Sequence, residues 1–287
     1  MTSSIDADIG RAAELIAGAN ALIVAAGAGM GVDSGLPDFR GKEGFWKAYP
    51  ALGNAGIEFY DIASPAAFES VPGQAWGFYG HRLALYRRTL PHDGFHILKR
   101  WGEKMPLGCA VFTSNVDGQF QKAGFDPQRI YECHGSIHHL QCLAPCSDLI
   151  WDAQQFEPSV DEAACLLSNE PPKCPRCAGL ARSNVLMFGD WGWNSARSTQ
   201  QSRRLKMWLD EIDRPVVIEI GAGKAIPSVR HFSHQVVQHH GGRLIRINPD
   251  DARVPTSQDV GFAMGALPCL QAIEQFLQLI TDSHSSE

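Results

Sequence analysis

The chain has 287 residues, 44% of them hydrophobic, and a formal net charge of -6 at pH 7. This composition can bury a core, which excludes a disordered chain, and the negative charge argues against nucleic-acid binding through a basic face. The first residues, Met1 to Asp8, lack the pattern of a signal peptide, and no apolar run has the roughly 18 residues of a spanning helix. We therefore expect a cytoplasmic protein without nucleic-acid or membrane partners.

Five short apolar runs have the length and composition of buried strands. In chain order they are residues 21–26, 109–113, 185–188, 216–220 and 243–248. Stretches with helical periodicity lie between several of them, for example 202–212 and 229–239. Strands that alternate with helices predict an α/β fold with a doubly wound, Rossmann-like parallel sheet.

A glycine-rich segment directly follows the first run. Gly27, Ala28 and Gly29 supply the first half of a dinucleotide-binding G-x-G-x-x-G motif, but Val32 stands where the third glycine belongs. Glycines let backbone N–H groups approach a phosphate, although a tight structural turn would also need them. Downstream, the segment adds a carboxylate, a ring and a cation, which favour a nucleotide site: Asp38, Phe39 and Arg40.

Polar and glycine residues also follow the other four runs. Ligands of open parallel sheets bind at the carboxyl ends of the strands, so we predict one site assembled from five loops. The residues are Ser114, Asn115 and Asp117 after the second run, Gly189 and Asp190 after the third, Gly221, Ala222 and Gly223 after the fourth, and Asn248 after the fifth.

Two segments interrupt the strand and helix pattern. Residues 42–90 are rich in aromatic side chains and predict a helical insertion, whereas residues 139–183 predict a small metal-binding module. The Rossmann-like domain then consists of residues 1–41, 91–138 and 184–287.

Four of the eight cysteines form two closely spaced pairs. Cys142 and Cys146 have three residues between them, and Cys174 and Cys177 have two. Two such pairs can close a tetrahedral zinc site with no open position, which is structural and not catalytic; the alternative is two unrelated pairs of buried thiols. The other cysteines are expected to be small core residues: Cys109, Cys133, Cys165 and Cys269.

His134 lies shortly after the second run and is followed by Gly135. A lone histidine is often structural, but one beside glycine in a loop near a nucleotide site favours catalysis.

In this order the motifs resemble those of the sirtuins, the NAD-dependent protein deacylases of the Sir2 family, and specifically the bacterial type. The resemblance runs from about residue 21 to residue 250 and rests on GAG continuing to DFRG, NVD, HGS, the two cysteine pairs, FGD, GAG and IN. It implies that an acylated protein or peptide lysine attacks C1′ of the nicotinamide ribose of NAD. Nicotinamide then leaves and the acyl group ends on the ribose as O-acyl-ADP-ribose.

The resemblance also implies roles for individual residues. His134 matches the general base for a ribose hydroxyl, Asn115 the residue that orients the ribose and its water, and Asp117 the carboxylate that binds the nicotinamide carboxamide. Phe188 and Gly189 match a segment to which the substrate peptide adds as a strand. The implied NAD-binding set is Gly27, Ala28, Gly29, Asp38, Phe39, Arg40, Ser114, Gly221, Ala222, Gly223 and Asn248. One structural zinc ion is implied as well.

Tyr79 and Arg82 fit the Tyr-x-x-Arg pattern of sirtuins that remove succinyl, malonyl or glutaryl groups. A phenol and a guanidinium fork can bind a carboxylate. The alternative is a helix in which Tyr79 packs and Arg82 is solvated.

Several positions depart from the family pattern. Ser114 replaces the usual glutamine, Ala222 and Gly223 replace threonine and serine, and Asp190 replaces glutamate. Trp191 and Trp193 follow, and they would either shape the substrate groove or pack on the sheet.

Two other functions share these features. An NAD glycohydrolase or mono-ADP-ribosyltransferase would use the same NAD site, and a non-catalytic NAD sensor would only bind there. His134, Asn115 and Asp117 together favour the deacylase.

Overall fold

The computed structural model describes residues 4–38 and 41–284. Phe39 and Arg40 therefore lie outside the described residues, and their roles stay predictions. Along the described residues the strands are β1 (Leu22–Ala26), β2 (Cys109–Thr113), β3 (Ile130–Glu132), β4 (Gly135–Cys142), β5 (Ile150–Asp152), β6 (Val160–Asp161), β7 (Leu166–Leu167), β8 (Ala181–Val185), β9 (Val216–Ile220), β10 (Arg243–Ile247) and β11 (Val260–Phe262).

The helices of the same residues surround these strands. They are α1 (Ser4–Ala17), α2 (Gly41–Ala48), α3 (Pro50–Asn54), α4 (Phe59–Ile62), α5 (Pro65–Ser70), α6 (Pro72–Arg88), α7 (Asp93–Lys104), α8 (Gln119–Lys122), α9 (Ala196–Leu209), α10 (Ser228–His240) and α11 (Ala266–His284), with 3₁₀ turns at Ala28–Ser34 and Pro127–Arg129. None of the helices in this part of the chain is both long and apolar enough to cross a bilayer.

The central sheet has six parallel strands in the order β11-β10-β9-β1-β2-β3. Side chains of a strand alternate between its two faces, and β1 contributes Leu22 and Val24 to one core and Ile23 and Ala25 to the other. Helices α1, α7 and α11 cover the first face, and α9 and α10 cover the second. The predicted doubly wound Rossmann-like sheet is confirmed.

Four of the five predicted sheet strands are confirmed, as β1, β2, β9 and β10. The prediction for residues 185–188 is wrong, because β8 ends at Val185 and belongs to a separate antiparallel sheet, β5-β4-β8. The prediction failed because β8 contains Arg182, Ser183 and Asn184, and polar residues are not typical of a buried strand. The structure nevertheless buries all three completely. Gly189 and Asp190 consequently do not follow a strand of the parallel sheet.

The helical insertion and the cysteine-bearing module share one hydrophobic core. Phe68 and Trp76 of the insertion pack in the same cluster as Ile137 and Leu140 of β4. The Trp76 indole N–H also donates to the carbonyl of Ala181 over 3.0 Å. The small sheet spans residues 135–185, so β4 crosses the boundary at 138/139 in our proposed division of domains.

Candidate functional site

The two glycine loops touch each other at the carboxyl edge of the parallel sheet. The N–H of Gly27 donates to the carbonyl of Ile220 over 2.9 Å, and the N–H of Gly29 donates to that of Gly221 over 3.2 Å. A Cβ at Gly27 would lie 2.7 Å from the Gly221 oxygen, so this approach requires glycine. These two N–H groups are therefore engaged within the chain, and phosphate contacts would use other atoms of the loops.

Asn115 joins the end of β2 to the first glycine loop. Its side-chain N–H donates to the carbonyl of Gly27 over 3.0 Å, and its backbone N–H donates to Thr113 Oγ1 over 3.0 Å. The amide is thus held in one orientation beside Gly27. Ser114 continues the strand pairing, since its N–H donates to the carbonyl of Ala26 over 3.1 Å.

His134 lies just after β3, the edge strand. Its Nε2 is 3.4 Å from Ser228 Oγ at the start of α10, and its ring also bonds the backbone carbonyl of Ser114. Burial lowers the pKa of the imidazole below its usual value, and the bond to Ser114 offsets part of that change. The ring is consequently neutral at neutral pH and able to accept a proton.

The Asp117 carboxyl group lies buried beyond the end of β2. Burial raises the pKa of Asp117 to about 6, although its Oδ1 accepts the N–H of Gln119 over 2.9 Å, which favours the ionised form. His138 of β4 lies with its Nε2 2.8 Å from the Asp117 carbonyl oxygen, so the loop after β2 is also fixed to the small sheet. Near neutral pH this site therefore holds a carboxylate that a modest fall in pH would protonate.

Asn248 clamps the loops after β9 and β10. Its side-chain N–H donates to the carbonyl of Ala222 over 2.9 Å, and its Oδ1 accepts the N–H groups of Asp250 and Asp251. Arg230 also donates to Ala222 and forms an ion pair with Asp251. Gly223 is exposed, and a Cβ there would meet nothing within 4 Å. The adenosine contact of Asn248 stays a prediction.

The four paired cysteines come together in the small module. The Sγ atoms of Cys142, Cys146, Cys174 and Cys177 all lie within 4.8 Å of one another, with 3.6 Å between Cys142 and Cys177 and 3.6 Å between Cys146 and Cys174. Sulfur ligands about 2.3 Å from a tetrahedral Zn²⁺ ion lie about 3.8 Å apart. The donor set therefore fits one structural zinc ion, and the alternative of unrelated thiol pairs is wrong.

Tyr79 and Arg82 are both buried on α6. The Arg82 side chain is only 8% exposed, so the alternative of a solvated arginine is wrong. Its Nε and Nη2 donate to Tyr86 Oη over 3.0 and 2.8 Å, and its guanidinium carbon lies 5.8 Å from the ring centre of Tyr79. The pair is thus part of an aromatic cluster, and acyl binding by these residues stays a prediction.

Phe188 and Gly189 lie beside the helical insertion. The N–H of Phe188 donates to the carbonyl of Ala63 over 3.0 Å, and the Phe188 ring packs on Tyr60 with 4.5 Å between the ring centres. A substrate strand added here would therefore pair with other backbone groups of the segment or displace Ala63.

A model of the Sir2 family matches residues 27–221, more than half of the chain. The chain belongs to the Sir2 family. An NAD-dependent protein deacylase of Thermococcus kodakarensis is 30% identical over 255 residues, which cover 88% of this chain and 89% of the relative. An NAD-dependent protein deacylase of Pyrococcus furiosus is 29% identical over 251 residues, covering 88% and 90%. A solved Sir2 homologue in complex with NAD has a TM-score of 0.70 and 23% identity, with 94% of each chain covered.

Sequence reasoning missed contacts that position the residues of this Sir2-family site. Ser228 approaches His134, and Arg230 fixes the loop that contains Ala222. The only signal for Ser228 was its place after Pro227, where a helix begins. A cleft of about 540 Å³ between α9 and α10 has His134, Leu186 and Ser228 among its lining residues, and it opens a path to the imidazole.

Proposed function

We propose that this chain is an NAD-dependent protein lysine deacylase, which moves the acyl group of a modified lysine onto ADP-ribose and releases nicotinamide. The observation that carries the proposal is that Asn115 and Asp117 lie in the loop after β2 and His134 lies just after the neighbouring strand β3, with Asn115 bonded to the first glycine loop. Acylated protein or peptide lysines are the partners that this activity requires. The relatives named NAD-dependent protein deacylases support it.

The residues at this edge fit NAD by their chemistry. Gly223 is exposed and has open space where a Cβ would lie, which leaves room for a pyrophosphate. The Asn115 amide and the Asp117 carboxylate supply groups for a ribose and a carboxamide. When bound, NAD supplies an electrophilic ribose carbon with nicotinamide as its leaving group.

His134 acts as the general base in this proposal. Its buried, neutral imidazole accepts the proton of a ribose hydroxyl, which makes that oxygen a better nucleophile. The bond to the Ser114 carbonyl and the contact with Ser228 hold the ring in place. Asn115 fixes the hydroxyl in line, because its own amide is anchored on Gly27.

One assay tests this function. The protein is incubated with NAD and acetyl-, succinyl- and long-chain acyl-lysine peptides, and the products are followed by mass spectrometry. O-acyl-ADP-ribose together with deacylated peptide is the expected result. Free ADP-ribose with intact acyl-peptide would identify a glycohydrolase, and ADP-ribosylated protein would identify a transferase. An absence of NAD turnover would identify a non-catalytic sensor.

The pH dependence of deacylation follows from the two buried groups. The protonated His134 cannot act as a base, and Asp117 loses its charge below a pKa of about 6, so kcat/KM should fall as pH drops. We expect a plateau near neutral pH and an acid limb at or below about pH 6.5. The measurement is kcat/KM on an acetyl-lysine peptide across this range, with circular dichroism as the control for folding. A midpoint above about pH 7 would contradict the assigned groups.

We further propose that Tyr79 and Arg82 recognise acyl groups that end in a carboxylate. The Arg82 charge acts to lower the pKa of the Asp117 carboxyl, and Asp117 is the residue that we propose for the nicotinamide carboxamide, which supports this proposal. Arg82→Met should therefore lower desuccinylation about tenfold more than deacetylation, since hydrogen bonds to charged groups are among the strongest. Steady-state rates on matched acetyl and succinyl peptides measure the ratio. An unchanged ratio would make Arg82 a structural cation of the aromatic cluster.

A further inference from the structure

A second cleft lies between the helical insertion and the cysteine-bearing module, away from His134. Its volume is about 770 Å³, and its walls come from α4, α5 and the loop after β8. Phe188 and Gly189 form part of its lining, so it is continuous with the segment that we propose for the substrate peptide.

Trp191 stands at this cleft with its side chain completely exposed to solvent. The large apolar area of tryptophan favours burial, and exposed apolar side chains that lie together mark interaction sites. Tyr60 and Val71 in the same lining are 59% and 41% exposed. The cleft therefore presents apolar and aromatic surface to the solvent.

The loop that bears Trp191 is held by side chains on both sides of it. Asp190 forms a two-point ion pair with Arg182, with distances of 2.8 and 2.7 Å, and both side chains are fully buried. The Gln141 side-chain N–H donates to the carbonyl of Gly192 over 2.8 Å, and its Oε1 accepts the N–H of Asn194 over 3.0 Å. Trp191 is thus presented on an anchored loop, so little order would be lost on binding.

The charged residues that line the cleft indicate the kind of ligand that it would bind. Asp61 and Glu69 are exposed carboxylates, whereas Arg182, the cation of the described lining, is buried and neutralised by Asp190. An indole face and carboxylates together favour a cation with an apolar stem, which is a lysine or arginine side chain.

We propose that this cleft binds a basic segment of the protein substrate, with a lysine or arginine near the acylated lysine stacked on Trp191. The inference rests on the proposed deacylase function and adds a preference for substrates with a positive charge at a fixed distance from the modified lysine. Aromatic anchors on rigid loops are typical of residues that dominate binding energy at interfaces.

An arginine scan tests the proposal. Acetyl-lysine is placed in the centre of a peptide of alanine, serine and glycine, and one arginine is moved through every other position. At the positions that reach the cleft, arginine should lower KM about tenfold relative to alanine while kcat is unchanged. Trp191→Ala should remove this difference, and Trp191→Phe should retain part of it, because a phenyl ring also binds cations but more weakly.

The matched control is Met207→Ala, which removes another exposed apolar side chain, 67% exposed, from α9 outside this cleft. It should retain the full arginine preference. Equal KM values for all peptides in the wild type, or an arginine preference that survives Trp191→Ala, would overturn the proposal. If leucine lowered KM as much as arginine does, the proposal would also be overturned. The same holds if light scattering showed dimers that require Trp191 while the peptides showed no arginine preference.

Binding is measured separately from catalysis by fluorescence anisotropy of the same peptides with unmodified lysine. Arginine-dependent and Trp191-dependent binding without turnover of any acyl-peptide would defeat the deacylase function alone. Turnover without arginine dependence would defeat only the role of the cleft.

Discussion

Replacing His134 with alanine should lower deacylation by about 10²- to 10⁴-fold, the usual contribution of a positioned general base. The physical reason is that the substitution removes the imidazole just after β3 that we assign as the base, and no other imidazole in the described part of the chain contacts Ser228 Oγ in its place. NAD binding should be retained, because the glycine loops are held by bonds that do not involve His134. Single-turnover deacylation by mass spectrometry and calorimetric titration with NAD measure the two effects.

His231→Ala is the matched control for this substitution. His231 is an exposed histidine on α10 that also lines the cleft at His134, and no bond to His134 involves it. Its replacement should leave the rate near that of the wild type. Full activity of His134→Ala, or an equal loss in the two variants, would defeat the assignment of the base.

Replacing Cys174 with serine should release the zinc ion and destabilise the small module. Binding energy of structural zinc is folding energy, and the buried thiol of Cys174 is one of four ligands in the cluster. We expect the zinc content to fall from one ion per chain to nearly none and the melting temperature to fall by about 10 °C or more. Inductively coupled plasma mass spectrometry measures the zinc content, and differential scanning calorimetry measures the melting temperature.

Deacylation should be lost together with the zinc. The strand β4 begins directly after His134, and the N–H of Leu186, just after β8, donates to the His134 carbonyl over 2.9 Å. Disorder in the module would therefore move the proposed base. Cys269→Ala, at a buried cysteine outside the cluster, is the control and should keep both the zinc and the activity. Zinc retained in Cys174→Ser would contradict the four-thiol site.

The sequence alone was sufficient to predict the features that depend on residues close together along the chain. The runs at β1, β2, β9 and β10 are mostly apolar because both faces of a parallel sheet are buried, and this composition predicted them directly. The spacing of Cys142, Cys146, Cys174 and Cys177 predicted the cluster, because two turns of that length can each offer two thiols to one ion. The ordered motifs predicted the family.

The sequence did not predict the strands that are short or polar. β3 and β11 have three residues each, too few for a periodic pattern, and they are stable only because longer neighbours pair with them. β8 buries Arg182, a residue that sequence reasoning places at the surface, and this is possible because Asp190 supplies its charge partner.

The contacts that join distant parts of the chain were decided only by the tertiary structure. Ser228 reaches His134 across 94 positions of sequence, and Asn115 reaches Gly27 across 88. These pairs meet because parallel strands end at one edge of a sheet, whichever loops follow them. Periodicity and spacing identified the residues in those loops. Which side chains are buried, which are paired and which, like Trp191, remain exposed depends on packing between segments that no local pattern encodes.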